Sequence, residues 1–523
     1  MAPVNIFSND PNARGLGLEQ VDVPIGVSRF NVIDWNGTGG LFQPGTLEFQ
    51  AGELHVVLNR TYGAWKEFFG ADFSWQSGVP QLPAHPRAGQ DLNAYYDRTG
   101  LKFFGDNDKV TGKTLYTSES SDVVAHECGH AILDAHHPEF WDSLLGETAA
   151  FHEAFGDISA LLVTLSDPAV RAAMLAETNG DLEKSNVVSR LAEQLARGIY
   201  DLGKPDAVAS ADALRDLTVR FRYRDPDKLS ASTPASQLSS ESHNFSRIFS
   251  GAFYDVLVGI YIKLRKSSEK ISADDALVQA RNEAGRLLSK ALFIMPKGDA
   301  LFKLVASSMF TANAQNFAGN HFGVLRRVFV GRGLMTQREA DAFKPKTVRH
   351  TVVSALGGVA SASVSPLSQA DVLSRRIGDD LPSGYRRPLG IGKQEFRLID
   401  QQNDEATVLH YAAEREMQLE GAGLGDAQGA MISMPDTLSV RVDREGKVIS
   451  SQLHKTDEGH QNCIRDHVVK LVERGRVYAA AGGEKIDPAV LIEQKKPYYI
   501  DYDQAGNKRI RRAFIACGDT FRP

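Results

Sequence analysis

The chain has 523 residues, 42% of them hydrophobic and 24% charged, with a formal net charge of −6. That is an ordinary globular composition, long enough for two or more domains, and its mild acidity gives no reason to expect nucleic acid or an anionic membrane as partner. No run approaches the roughly 18 to 20 continuous apolar residues that span a bilayer.

In chain order, residues 1–45 are rich in Gly, Pro and Asn with short apolar runs, and read as strands and loops. Glu53 to Phe69 has helical spacing, with Leu54, Val57, Leu58, Tyr62, Trp65 and Phe69 on one face. Residues 71–90, interrupted by Pro80, Pro83 and Pro86, read as loop, and 92–117 as strand pieces (LNAYYD, LKFFGD). Helices are expected at 122–136, 147–166, 188–201, 245–265, 272–292, 298–312 and 319–332, with a loop-rich insertion at 203–243. The small, uncharged stretch after residue 345 reads as a linker over 346–389. Residues 390–523 resume with strand and helix signals, including hairpins turning at Glu445-Gly446 and Ala505-Gly506. The opening residues lack the basic and apolar regions of a secretory leader, so a cytoplasmic protein, or one exported by a leaderless route, is expected. Cys128, Cys463 and Cys517 are too sparse for a disulfide framework, although Cys463 and Cys517 remain free to pair.

The chemistry concentrates at His126-Glu127-Cys128-Gly129-His130. On a helix, positions i and i+4 share a face, so both imidazoles point at one spot and Glu127 sits beside them without being needed as a ligand. Fourteen histidines in 523 residues predict only about 0.02 such H-E-x-x-H matches by chance. A catalytic zinc needs a third protein ligand and an open fourth position. The helical segment starting at Glu147 carries Glu153 and, one turn on, Asp157. A helix packed on the first would present Glu153 to the metal and Asp157 to the second nitrogen of a ligand histidine, where a carboxylate orients the ring and raises its basicity.

H-E-x-x-H followed by E-x-x-x-D on the next helix resembles the thermolysin-like (gluzincin) neutral zinc metallopeptidases. Asp91-Leu92-Asn93-Ala94-Tyr95-Tyr96-Asp97 is similar to the family's edge strand, and Phe322 to Leu334 to its closing helix, so the resemblance covers roughly residues 45–340. It implies one catalytic zinc held by His126, His130 and Glu153, with Asp157 supporting a ligand histidine. It also implies Glu127 as general base, His243 as donor to the oxyanion, and substrate aligned on Asn93 and Ala94. Trp141 falls where the family has an oxyanion-binding tyrosine, and the substrate arginine is Arg215, Arg220 or Arg222. Structural calcium occurs in the family, and Asp122 matches one ligand position. Residues 131–152, between His130 and Glu153, form a somewhat longer connection than the family's, and His152 stands where the family has Asn.

The expected fold is α+β: a two-lobed thermolysin-like catalytic unit, with a mixed N-terminal lobe containing a β-sheet (1–137) and a mainly helical lobe (138–345), plus an extra α+β C-terminal domain (390–523) of unknown role. The expected activity is zinc-dependent metalloendopeptidase, hydrolysing peptide or protein substrates with a metal-activated water. The alternatives are a gluzincin aminopeptidase, whose Gly-x-Met-Glu-Asn-like segment is not found here, and a zinc-stabilised non-catalytic binding scaffold, for which an intact Glu127 would be unneeded. Oligomeric state and substrate preference have no local signature.

Overall fold

The structure is a computed structural model describing residues 1–344 and 397–516, apart from 25–27, 109, 268–269, 404–406, 414, 443–447, 455, 457, 480–485 and 487. The expected linker, the Glu445-Gly446 turn and Cys517 lie outside the described residues. The elements are both helical and extended, an α+β chain.

The first part holds β1 (Ala2–Phe7), β2 (Leu18–Val23), β3 (Phe30–Val32), α1 (Leu47–Phe69), β4 (Leu82–His85), β5 (Ala94–Tyr96), β6 (Leu101–Phe103), β7 (Gly105–Asn107) and β8 (Thr114–Tyr116). Helix α1 begins before the expected Glu53 because the Thr46 side chain caps it, accepting from the Phe49 N–H, and it ends at Gly70 in the left-handed region. Strand β4 overturns the expectation of loop over 71–90. Leu82 N–H donates to Arg29 and Ile33 N–H to Ala84, so the ladder to β3 uses the residues flanking Pro83 and does not need its missing N–H.

Then follow α2 (Ser121–His136), α3 (Glu139–Asp142), α4 (Gly146–Thr164), α5 (Pro168–Thr178), β9 (Arg190–Leu191), α6 (Glu193–Asp201), β10 (Arg215–Asp216), α7 (Ser242–Ser267), α8 (Ala273–Ile294), α9 (Phe302–Asn316), α10 (Phe322–Gly331) and α11 (Gln337–Ala342). The helix expected at 188–201 is broken. Arg190 and Leu191 pair with β10, and Ala192 turns the chain at φ 54 before α6 begins. Helix α7 is long and apolar enough to cross a membrane by composition, but 89% of that stretch is buried in the fold, which makes it a core helix.

Helices α2 and α4 are buried nearly all round, their histidines and carboxylates included, because both are interior. They approach through two glycines. A Cβ on Gly129 would lie 2.7 Å from Ser159 Oγ, and one on Gly156 would lie 2.6 Å from the His126 ring. Trp65 of α1 stacks on Phe155 at 4.3 Å and donates its indole N–H to Ser159, which fixes α4 from the other side.

The last part holds β11 (Arg397–Asn403), β12 (Thr407–Ala413), β13 (Glu416–Gln418), β14 (Met431–Ser433), β15 (Asp436–Val442), β16 (Val448–His454), α12 (Glu458–Glu473), β17 (Val477–Tyr478), α13 (Pro488–Glu493), β18 (Tyr498–Tyr502), β19 (Lys508–Arg512) and β20 (Ile515–Ala516). They form an antiparallel sheet β11-β12-β15-β16 and a mixed sheet β13-β14-β19-β18-β17. Ile464, Val468 and Leu471 of α12 share a core with Ile500 and Ile510 of the mixed sheet, and with Leu144 and Leu145 from the loop before α4. Both leucines are 4% exposed, and burial on that scale stabilises by roughly 1.5–3 kcal/mol each. A further sheet runs β20-β5-β6-β4-β3, with β3, β4 and β6 parallel and β5 antiparallel to β6.

Candidate active site

Helix α2 places His126 and His130 one turn apart with ring centroids 4.8 Å apart, and α4 brings Glu153 across to both. His126 Nε2 lies 3.4 Å from Glu153 Oε2, and His130 Nε2 lies 3.9 Å from Glu153 Oε1. Ligand atoms around a tetrahedral zinc sit about 3.4 Å apart, so these separations suit one ion. Ligand atoms of His126, Glu127 and His130 all fall within 4.8 Å of one another. His126 Nε2, both His130 nitrogens, both Glu127 oxygens and Glu153 Oε2 are buried and make no hydrogen bond among the described residues. Buried polar atoms normally have partners. A cation with a water or substrate oxygen would satisfy this set, so the residues fit a metal ion.

The electrostatics agree. Burial alone would lower the His126 pKa, but the neighbouring carboxylates of Asp157 and Glu153 outweigh it and raise the pKa to about 9. The pocket thus favours positive charge between its carboxylates. His130 is pushed well down, first by burial and then by the charges of His126 and its neighbours, which leaves a neutral imidazole suited to ligation. Burial raises Glu127 to about 8.

Around this cluster, Asp157 Oδ1 lies 3.2 Å from His126 Nδ1 and 2.9 Å from the Arg215 guanidinium. Of the three candidate arginines, only Arg215 is brought to the cluster. Arg220 lies beside Glu183 and Asp255, and Arg222 joins it in a separate surface cavity. Arg215 owes its position to the β9–β10 pairing that sequence periodicity missed.

His243 sits in the first turn of α7, with Nδ1 2.7 Å from Glu241 Oε1 and Nε2 3.3 Å from Glu153 Oε2. Glu241 also accepts from the His243 and Asn244 N–H groups, so one carboxylate caps the helix and orients the ring. Burial would lower the His243 pKa, yet the charges of Glu153 and Glu241 raise it to about 10. Asn93 precedes β5 and folds its Oδ1 onto the Ala94 N–H. The strand is tied to α2 because the Tyr96 hydroxyl donates to Asp134, which also pairs with Arg98. Trp141 is buried with its ring edge-on to Tyr96, and its indole N–H donates to the Arg512 carbonyl. Cys128 is a buried free thiol.

Residues 33–134 match the family model described as thermolysin metallopeptidase, catalytic domain. The match takes in β5 and the whole His126–His130 motif and stops before Glu153. That match supports a thermolysin-like metallopeptidase. That family implies zinc and peptide or protein substrates, which supports reading the chain as a zinc metallopeptidase hydrolase. Calcium finds no support at Asp122, whose oxygens accept from Ser120, Val123 and Ala192. His136 and His137, which follow the motif, are packed. His136 stacks on Phe69 at 3.7 Å, and His137 is hydrogen-bonded to Glu139 and the Leu292 carbonyl.

Proposed function

We propose that the peptidase is an endopeptidase in which His126, His130 and Glu153 hold the catalytic zinc and Glu127 is the general base. The observation that carries the reading is the convergence of two unbonded imidazole Nε2 atoms and one carboxylate from two helices on a buried point. Zinc bound there would act as a Lewis acid on a carbonyl and on water. Glu127, raised to about 8 by burial, is suited to take a proton from the attacking water and return it to the leaving amine near neutral pH. His243, charged and held by Glu241, would donate to the oxygen of the carbonyl under attack. Asp157 would fix the His126 ring and hold the Arg215 guanidinium beside the cluster, within the site a substrate carbonyl would enter.

Substrate would lie as an added strand along Asn93 and Ala94, a mode that accepts chain on both sides of the scissile bond and so favours internal cleavage. In this reading residues 1–137 and 138–345 are the two lobes of the peptidase unit, and 390–523 form a further α+β domain.

The test is Glu127→Gln, which keeps the shape of the side chain but removes the base. Zinc content should stay near one equivalent while turnover on an unfolded protein substrate vanishes, and chelation should abolish wild-type turnover. A Glu127→Gln enzyme that retained most activity would remove Glu127 as the base.

A further inference from the structure

In the structure, the edge of β5 is taken. β20 lies antiparallel on it, with Ile515 opposite Tyr96 and Ala516 opposite Tyr95. An edge strand offers a row of backbone donors and acceptors to any extended segment, and here this chain's own segment fills it. Further contacts hold it there. The Phe514 ring packs on Tyr95 at 5.6 Å and is 4% exposed. The Arg512 carbonyl accepts the Trp141 indole N–H at 3.1 Å, and Lys495 pairs with Asp91, just before β5, at 3.0 Å.

Helix α12 closes the other side. His467 packs so tightly on Gly146 that a Cβ there would lie 2.7 Å from its ring, and His460 pairs with Asp299 at 2.7 Å. The cavity beside Glu153 and His243 is accordingly lined also by His467, Arg474, Tyr498 and Phe514.

We propose that the segment 512–516 is an internal occupant of the substrate strand's place, holding the peptidase latent by competing with substrate for β5. The inference rests on the reading that substrate pairs with β5. Among the described residues the ladder spans two residue pairs, a short pairing that substrate can displace. A tethered segment acts at an effective concentration of about millimolar. A segment whose own dissociation constant is about 0.1 mM, in the middle of the usual range of KM values, would then raise the apparent KM of peptide substrates by about ten-fold while leaving kcat unchanged.

The experiment compares the full chain with a chain ending at Ala513 and with Phe514→Asp, which keeps every residue but places a charge in the contact with Tyr95. Each form is tested for KM and kcat on a short quenched-fluorescent peptide, and for binding of a dipeptide phosphonate, a zinc-directed ligand that needs the cleft open but requires no turnover. A synthetic peptide of residues 511–523 is then added to the truncated chain. The expected result is a KM lower by about ten-fold in both altered forms, unchanged kcat, phosphonate binding tighter by the same factor, and inhibition restored by the added peptide. Equal KM and equal phosphonate affinity in all three forms would overturn the latch and leave the peptidase reading standing. Tighter phosphonate binding without cleavage in any form would uphold the latch and remove the peptidase reading. No phosphonate binding in any form would also overturn the latch, since release would then expose nothing.

Discussion

Asp157→Asn removes one negative charge from a side chain that is fully buried and touches both the His126 ring and Arg215. Asparagine keeps the shape and one acceptor oxygen. What is lost is the charge that holds the His126 ring, through Nδ1, in the orientation that presents Nε2. Carboxylates in this position are worth about 10- to 100-fold in metal affinity, or roughly 1.4–2.8 kcal/mol. A second cost falls on the metal-free fold. The Arg215 guanidinium, itself 5% exposed, loses its closest partner, and breaking a buried pair by removing one member typically costs about 3–5 kcal/mol. The zinc dissociation constant, measured by competition with a chromophoric chelator, should therefore rise by about 10- to 100-fold, with a lower melting temperature for the metal-free variant. A zinc affinity within about two-fold of wild type would refute the orienting role of Asp157. A melting temperature unchanged in the same sample would further mean that Arg215 does not depend on it.

Gly156→Ala should push on the His126 ring, which lies 2.6 Å from the added Cβ, at a cost of about 1–3 kcal/mol and with loss of bound zinc; a fully loaded, equally stable variant would show that the two helices can part without harm. His243→Ala should lower kcat by about two to three orders of magnitude with zinc retained, and steady-state kinetics showing only a KM change would assign His243 to substrate binding instead. Glu147 gives a pH prediction. Burial raises its pKa from 4.5 to about 7, against hydrogen bonds from the Phe302 N–H and the Tyr223 hydroxyl. The folded state therefore holds a proton that the unfolded chain gives up, and stability falls as pH rises from about 4.5 through 7, by up to about 3 kcal/mol. Glu147→Gln should be free of this loss, so its melting temperature should gain on wild type between pH 5 and pH 8, and an equal difference at both pH values would contradict the shift.

Much of the site was legible because its elements are local. Two histidines at i and i+4, and Glu153 with Asp157 at the same spacing on the next helix, state their shared faces in the sequence itself. Other local signals were present but unread. Asp167 and Pro168 open α5 with an N-cap and a first-turn proline, and Thr46 caps α1. Arg215 was illegible for a different reason. Its place depends on a two-residue pairing between β9 and β10 across the intervening helix and loop, and a strand that short has no period to detect.

What the sequence alone determined is the identity and helical spacing of the residues that can grip a metal, together with the edge strand beside them, because these follow from backbone geometry within single elements. Which arginine joins them, how closely α2 and α4 approach through Gly129 and Gly156, and that β20 lies on β5 were decided only by tertiary structure. Those features arise where segments up to about 420 residues apart meet, Ile515 on Tyr96 being the extreme, and no local pattern encodes the register of such a meeting.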